Sequence, residues 1–189
     1  LMNYLKNLKK IKGNASFRKF YRKRNKNFSS IVVFAEKEKF KNLLVYDAIN
    51  KILIINKILA PITYYESYNK NFIEIEDFGD NSIYKVLKKK KTKKLFYFKN
   101  AIKLLNQLQI IKNRKIKSFK KNTYTIPKYS KAILMKEANL FCNWYIKKKL
   151  FKNKRNNFSK KFNNIIKDLA NNLKLRNNVF VHRDFHASN

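Results

Sequence analysis

The sequence predicts an α+β protein in two parts: a small β-rich first part with one helix, and a helical second part. Three observations predict it. Aromatic and β-branched runs are frequent before Gly79, apolar residues recur at helical spacing after it, and the chain closes on His182-Arg183-Asp184-Phe185-His186-Ala187-Ser188-Asn189.

Phe17 to Tyr21 and Ile31 to Ala35 read as strands, because such side chains suit a pleated, half-buried surface. The polar Arg22 to Ser30 between them reads as a hairpin loop. Phe40, Leu43, Leu44, Ala48, Ile52, Ile55 and Leu59 then take helical spacing until Pro61 closes the run, with Asp47 on the apolar stripe. Ile62 to Glu66 and Phe72 to Glu76 flank Ser67 to Asn71 as a second hairpin, which leads into Asp77-Phe78-Gly79-Asp80, where glycine supplies a bend. Beyond it lie three amphipathic stripes: Leu95 to Leu108, Ile133 to Lys148, and Phe158 to Leu173. All three are expected to be core. Lys112 to Ser130, with Pro127, reads as the longest irregular and exposed connection. The expected architecture is a small mixed sheet with one helix over residues 1–78, a glycine joint, and a helical part over 79–189.

With 189 residues and 44% apolar content the chain can bury a core. Its formal charge of +35 ordinarily points to nucleic acid or an anionic membrane surface. Here the lysines are spread along the whole chain, Lys, Asn, Ile, Phe and Tyr abound, and Gly and Pro occur twice each. That is the pattern of an AT-rich coding sequence, so the basic surface implies no specific nucleic-acid partner. The single cysteine, Cys142, excludes an internal disulfide and reads as core. No apolar run reaches membrane-span length and the opening residues lack a signal-peptide core, so a soluble cytoplasmic protein without a membrane partner is expected.

The closing residues have the spacing H-R-D-x-x-x-x-N of the catalytic loop of kinase-like phosphotransferases, entered from the apolar Val179-Phe180-Val181. Phosphoryl transfer needs a carboxylate beside the attacking hydroxyl and an oxygen ligand for magnesium. Asp184 and Asn189 offer these five residues apart on one short loop. His186 follows Asp184 by two, near where the transferred phosphate would lie, whereas His182 reads as a structural histidine holding backbone. With the sheet, joint and helices before it, this order is that of a protein-kinase-like bilobal fold.

Separate segments carry a family resemblance. Gly13-Asn14-Ala15-Ser16-Phe17-Arg18-Lys19-Phe20-Tyr21-Arg22 is similar to G-D-A-S-F-R-R-Y-x-R, and Ile75-Glu76-Asp77-Phe78-Gly79-Asp80 to L-E-D-L-G-D. Leu140-Phe141 with Trp144-Tyr145 is similar to L-F-x-x-W-Y, and Val181 to Asn189 to V-H-R-D-x-H-x-x-N. In these motifs and their order the chain resembles the aminoglycoside phosphotransferase family, and within it the bacterial kinases that phosphorylate N-acetylmuramate or N-acetylglucosamine at the anomeric hydroxyl.

The resemblance implies ATP and Mg²⁺ as cofactors and a small sugar as acceptor. It implies that Gly13, Asn14 and Ser16 belong to a lid over the phosphates, and that Glu76 and Phe78 present backbone groups to the adenine. Asp184 would be the base and Asn189 the metal ligand, with His186 at the catalytic centre. The usual strand lysine is missing from Ile31 to Ala35; Lys37 just beyond it and Asp47 read as surface charge or a local ion pair. The family continues past this loop with a second metal-binding aspartate, so the chain as it stands is expected to be a C-terminally truncated, inactive fragment of a kinase. With 11 acidic residues against 46 basic ones, a neutral or carboxylate-bearing sugar suits the pocket better than a polycationic aminoglycoside. The alternatives are a non-catalytic pseudokinase and a basic nucleic-acid-binding module.

Overall fold

A computed structural model describes residues 8–11, 18–26, 28–35, 42–89, 93–117, 121, 123–174 and 179–188. They form an α+β structure on a five-stranded sheet ordered β1 (Lys9–Ile11), β2 (Arg18–Asn25), β3 (Phe28–Ala35), β5 (Phe72–Glu76), β4 (Thr63–Ser67). Every neighbouring pair is antiparallel, so the mixed sheet expected from sequence is corrected. The physical reason is connectivity. Helix α1 (Asn42–Ile55) carries the chain from β3 to the far edge at β4, which runs in the same direction as β3, and a hairpin brings β5 back between them, so the two parallel strands never become neighbours.

Strands β2 and β3 pair without interruption from Arg18↔Ala35 to Asn25↔Phe28. The polar Arg22 to Ser30 is therefore mostly strand, not loop. Its charges are tolerated there because they are matched: Lys23 lies 3.1 Å from Glu74, and the buried Ser30 hydroxyl donates to Glu74 Oε1 at 2.6 Å. Strand β1 had no distinct signal in the sequence.

Period-two alternation sorts the sheet into two buried faces. Ile31, Val33 and Ala35 of β3 join Ile73 and Ile75 of β5 under Leu43 of α1, with Phe20 and Tyr46 packed around them. On the other face Val32 and Phe72 pack with Leu8, Tyr21 and Phe34. Residues 72–75 of β5 are all buried, as a strand covered on both faces requires.

By compactness the chain falls into two units, Leu1–Ile126 with His182–Asn189, and Pro127–Val181. The first holds the sheet, α1, the short α2 (Ile83–Leu87), α3 (Lys94–Gln109), and a small ribbon of β6 (Lys115–Lys117) paired with β7 (Thr123–Thr125). That ribbon corrects the irregular connection expected over Lys112 to Ser130. The second unit is helical. Ser130 caps α4 (Lys131–Leu140), which widens into a π-helical turn at Phe141–Ile146; α5 (Lys152–Asn172) then packs against it. Phe141 contacts Tyr145, Phe158 and Phe162, and Cys142, Ile146 and Ala170 are buried.

Helical periodicity located α3, α4 and α5, yet the stripes are not core throughout. Leu95, Phe98 and Ile102 on α3, Trp144 on the π-turn, and Ile165 and Leu169 on α5 are exposed. A periodic stripe specifies an apolar face, not what covers it. No described helix is long and apolar enough to cross a membrane.

Candidate active site

The segment His182–Ser188 is held to the first unit by a backbone bond: Tyr84 N–H donates to Ala187 C=O at 2.8 Å. Tyr84 lies in the first turn of α2, whose start is fixed by Ser82, its hydroxyl accepting from Lys85 N–H at 3.3 Å. Just before this cap comes the Asp77–Asp80 turn. Two stretches far apart in sequence thus meet at the N-terminus of a single short helix.

Within the segment, Arg183 adopts φ 68°, a left-handed conformation uncommon for a residue with a β-carbon. Such a kink changes the direction of the chain immediately before Asp184. Asp184 carries its carboxylate outward, with 76% of the side chain exposed, and its Oδ1 lies 3.5 Å from His186 Nε2. Ser188 N–H donates to His186 Nδ1 at 3.3 Å. An accepting Nδ1 leaves the ring proton of neutral His186 on Nε2, the nitrogen that faces the carboxylate. The pair can accept a proton at Asp184 and offer one from His186 to an anionic group beside it.

His182 is exposed and meets the Phe185 ring edge-on at 5.4 Å. Phe185, His182 and His186 also line a cavity with Leu53, Leu104 and Leu108. Its wall opposite the histidines is aliphatic.

The turn after β5 holds the other described candidates. Glu76 N–H donates to Ile62 C=O at 2.9 Å, and the Glu76 carboxylate accepts from Ile62 N–H at 3.3 Å, which ties the end of β5 to the chain entering β4. Phe78 is half exposed. Gly79 has φ +76°, where a side chain would add strain although its β-carbon would meet nothing within 4 Å.

Sequence reasoning missed the strongest interaction of this region. Arg22 on β2, 6% exposed, reaches across β3 to the turn: Nε is 2.6 Å and Nη2 3.0 Å from Asp77, and Nη1 is 2.8 Å from Asp80. Ser29 donates to Asp77 Oδ2, and Gly79 N–H donates to Oδ1 at 2.9 Å. A signal did exist. Alternation puts Arg22 on the face of Phe20, and a cation directed into that face requires carboxylates.

Burial disfavours the charge on Asp77, but the Ser29 hydroxyl, the Arg22 guanidinium and the Gly79 amide outweigh it and hold the pKa below the usual carboxylate range. The Arg22 hydrogen bond lowers Asp80 as well. Bonding to Asp80 and then Asp77 in turn raises Arg22. A carboxylate depressed in the folded state stabilises the fold above its unfolded pKa of about 3.9 and ceases to do so as pH falls through the folded value. The urea midpoint is therefore expected to fall more steeply below about pH 4 in the wild type than in Asp77→Asn. Parallel declines of the two proteins would rule out the triad as the source.

Asp47, read from sequence as surface charge or a local ion pair, is a buried ion pair. It is 1% exposed, 2.7 Å from Lys51 Nζ, and accepts from Thr63 Oγ1 at 3.0 Å. Gly13, Asn14, Ser16, Lys37 and Asn189 lie outside the described residues. Among the described residues, no three His, Cys, Asp or Glu side chains form a group that could hold a metal ion. No protein-family model matches the chain. No curated protein matches it either.

Proposed function

We propose that the protein is an ATP- and magnesium-dependent phosphotransferase of kinase-like bilobal organisation, which moves a γ-phosphate to a hydroxyl of a small amino sugar such as N-acetylmuramate or N-acetylglucosamine. The observation that carries this reading is the placement of Asp184. Its exposed carboxylate, flanked by His186 at 3.5 Å, lies on a segment anchored through Ala187 to the helix that begins directly after the Glu76–Asp80 turn. A base for the acceptor hydroxyl and a turn for the adenine are then borne by one folded unit.

In this reading Asp184 accepts the hydroxyl proton and His186 faces the transferred group. Glu76 and Phe78 offer backbone to the base, Gly13, Asn14 and Ser16 cover the phosphates, and Asn189 joins the metal. Bound magnesium would supply charge neutralisation at the phosphates. The chain is expected to bind ATP with a magnesium-dependent heat in titration calorimetry, and sugar phosphorylation through this site is expected to favour N-acetylated sugars over kanamycin. Absence of magnesium-dependent binding would remove the reading; kanamycin as the best acceptor would overturn the substrate class.

One observation favours a second reading. Trp144, Tyr145 and Phe151 are exposed beside the exposed Lys147, Lys148 and Lys149, an arrangement able to stack bases and meet phosphates. A nucleic-acid module predicts oligonucleotide binding that falls steeply with salt and is lost in Trp144→Ala.

A further inference from the structure

The turn between Glu76 and Asp80 leaves the sheet at the end of β5. A free turn of this kind would sample many backbone conformations, and Gly79 at φ +76° adds to its freedom. It is instead fastened at both ends by one side chain. The Arg22 guanidinium, buried on β2, donates from Nη2 to Asp77 and from Nη1 to Asp80, with Nε 2.6 Å from the Asp77 carboxylate as an ion-pair contact, so the two carboxylates flanking Phe78-Gly79 share a single rigid partner. Ser29 from β3 and the Gly79 amide complete the shell of Asp77.

The chemistry of the partner matters. A guanidinium is planar and presents several donors in a fixed fork, so it sets both distance and orientation, whereas a lysine would hold the same charge at one point. Apolar packing could stabilise the sheet as well as a buried ion pair does. What the triad adds is geometry. We infer that Arg22 is a positioning residue for the nucleotide: through Asp77 and Asp80 it holds the backbone of the Glu76–Asp80 turn in the conformation that receives the base. The inference rests on the phosphotransferase reading and adds to it a residue outside the motif positions assigned to ligand contact.

The ligand splits into two parts that the triad should affect unequally. Adenosine needs the turn; tripolyphosphate with magnesium does not. Calorimetric titration of the wild type, Arg22→Lys and Asp80→Ala with ATP, adenosine and magnesium tripolyphosphate separates them. Asp80 is 62% exposed at the rim of the cluster, so Asp80→Ala keeps the fold even where Arg22→Lys loosens it. Both variants are expected to lose at least about tenfold in affinity for adenosine and ATP while binding tripolyphosphate like the wild type, since small misplacements of a positioned group carry penalties of that order or larger. Hydrogen exchange at the Gly79 amide should accelerate in both.

Adenosine affinity unchanged in both variants would overturn the inference and leave the phosphotransferase reading standing. Equal losses for adenosine and tripolyphosphate would reduce Arg22 to a general stabiliser. If the wild type binds neither ATP nor adenosine, the functional reading falls and the inference with it.

Discussion

In an active enzyme that holds this site, Asp184→Asn is expected to lower sugar phosphorylation by a factor of about 10² to 10⁴, and in the chain itself to leave ATP binding and the urea midpoint unchanged. Asparagine preserves the shape of the side chain but cannot take the proton of an attacking hydroxyl. The fold should tolerate the change because the carboxylate is 76% exposed and its neighbour His186 Nε2, at 3.5 Å, is itself half exposed. Exposed pairs of this kind contribute roughly 0–1 kcal/mol, too little to alter stability measurably. Steady-state kinetics with N-acetylmuramate or N-acetylglucosamine, read alongside calorimetric ATP binding, separates the effects: kcat should fall and nucleotide affinity should not. Activity retained within tenfold would show that Asp184 is not the base. His186→Ala should cost less, because the Asp184 carboxylate remains in place to take the proton.

Arg22→Met is expected to cost about 3–5 kcal/mol of stability, the usual consequence of leaving a buried carboxylate without its counter-charge. The Asp77 side chain is 7% exposed and loses both its Nε and Nη2 contacts, while Asp80, 62% exposed, can turn to water. The double variant Arg22→Met with Asp77→Leu should recover most of the loss, since apolar packing can replace an ion pair where the charges themselves are not needed. Urea unfolding of the two proteins gives the comparison. A loss below about 1 kcal/mol in Arg22→Met would mean that solvent reaches Asp77 and that the triad is a surface pair. Recovery of stability without recovery of adenosine binding is the outcome that separates the energetic role of Arg22 from its positional one.

Much of the element inventory was legible in the sequence because periodicity is a local property. The hairpin of β4 and β5 fell where apolar runs flank Ser67 to Asn71, and α3 and α5 fell where apolar residues recur at helical spacing. Sequence pattern makes the β2–β3 hairpin too short, since Arg22 and Lys23 look like loop residues until Asp77 and Glu74 are placed opposite them. Strand β1, with only Lys9, Lys10 and Ile11, depends on pairing with β2 for its conformation. The ribbon of β6 and β7 leaves no sequence signal for the same reason: three-residue strands rich in lysine and threonine carry no pattern of their own.

Of the candidate site, sequence determined the chemical groups: a carboxylate and an imidazole two residues apart after an apolar entry, and a glycine turn after β5. Tertiary structure decided which groups meet. It placed Nε2 of His186 toward Asp184, tied Ala187 to Tyr84, buried Asp47 against Lys51 and Thr63, and gave Asp77 and Asp80 one shared guanidinium. It also left apolar faces of α3 and α5 exposed that their periodicity alone would have buried. The division has a physical origin. Backbone preference and amphipathic period act over a few neighbouring residues and are written into consecutive letters, whereas the partner of a buried charge is chosen by whichever strand the sheet brings alongside.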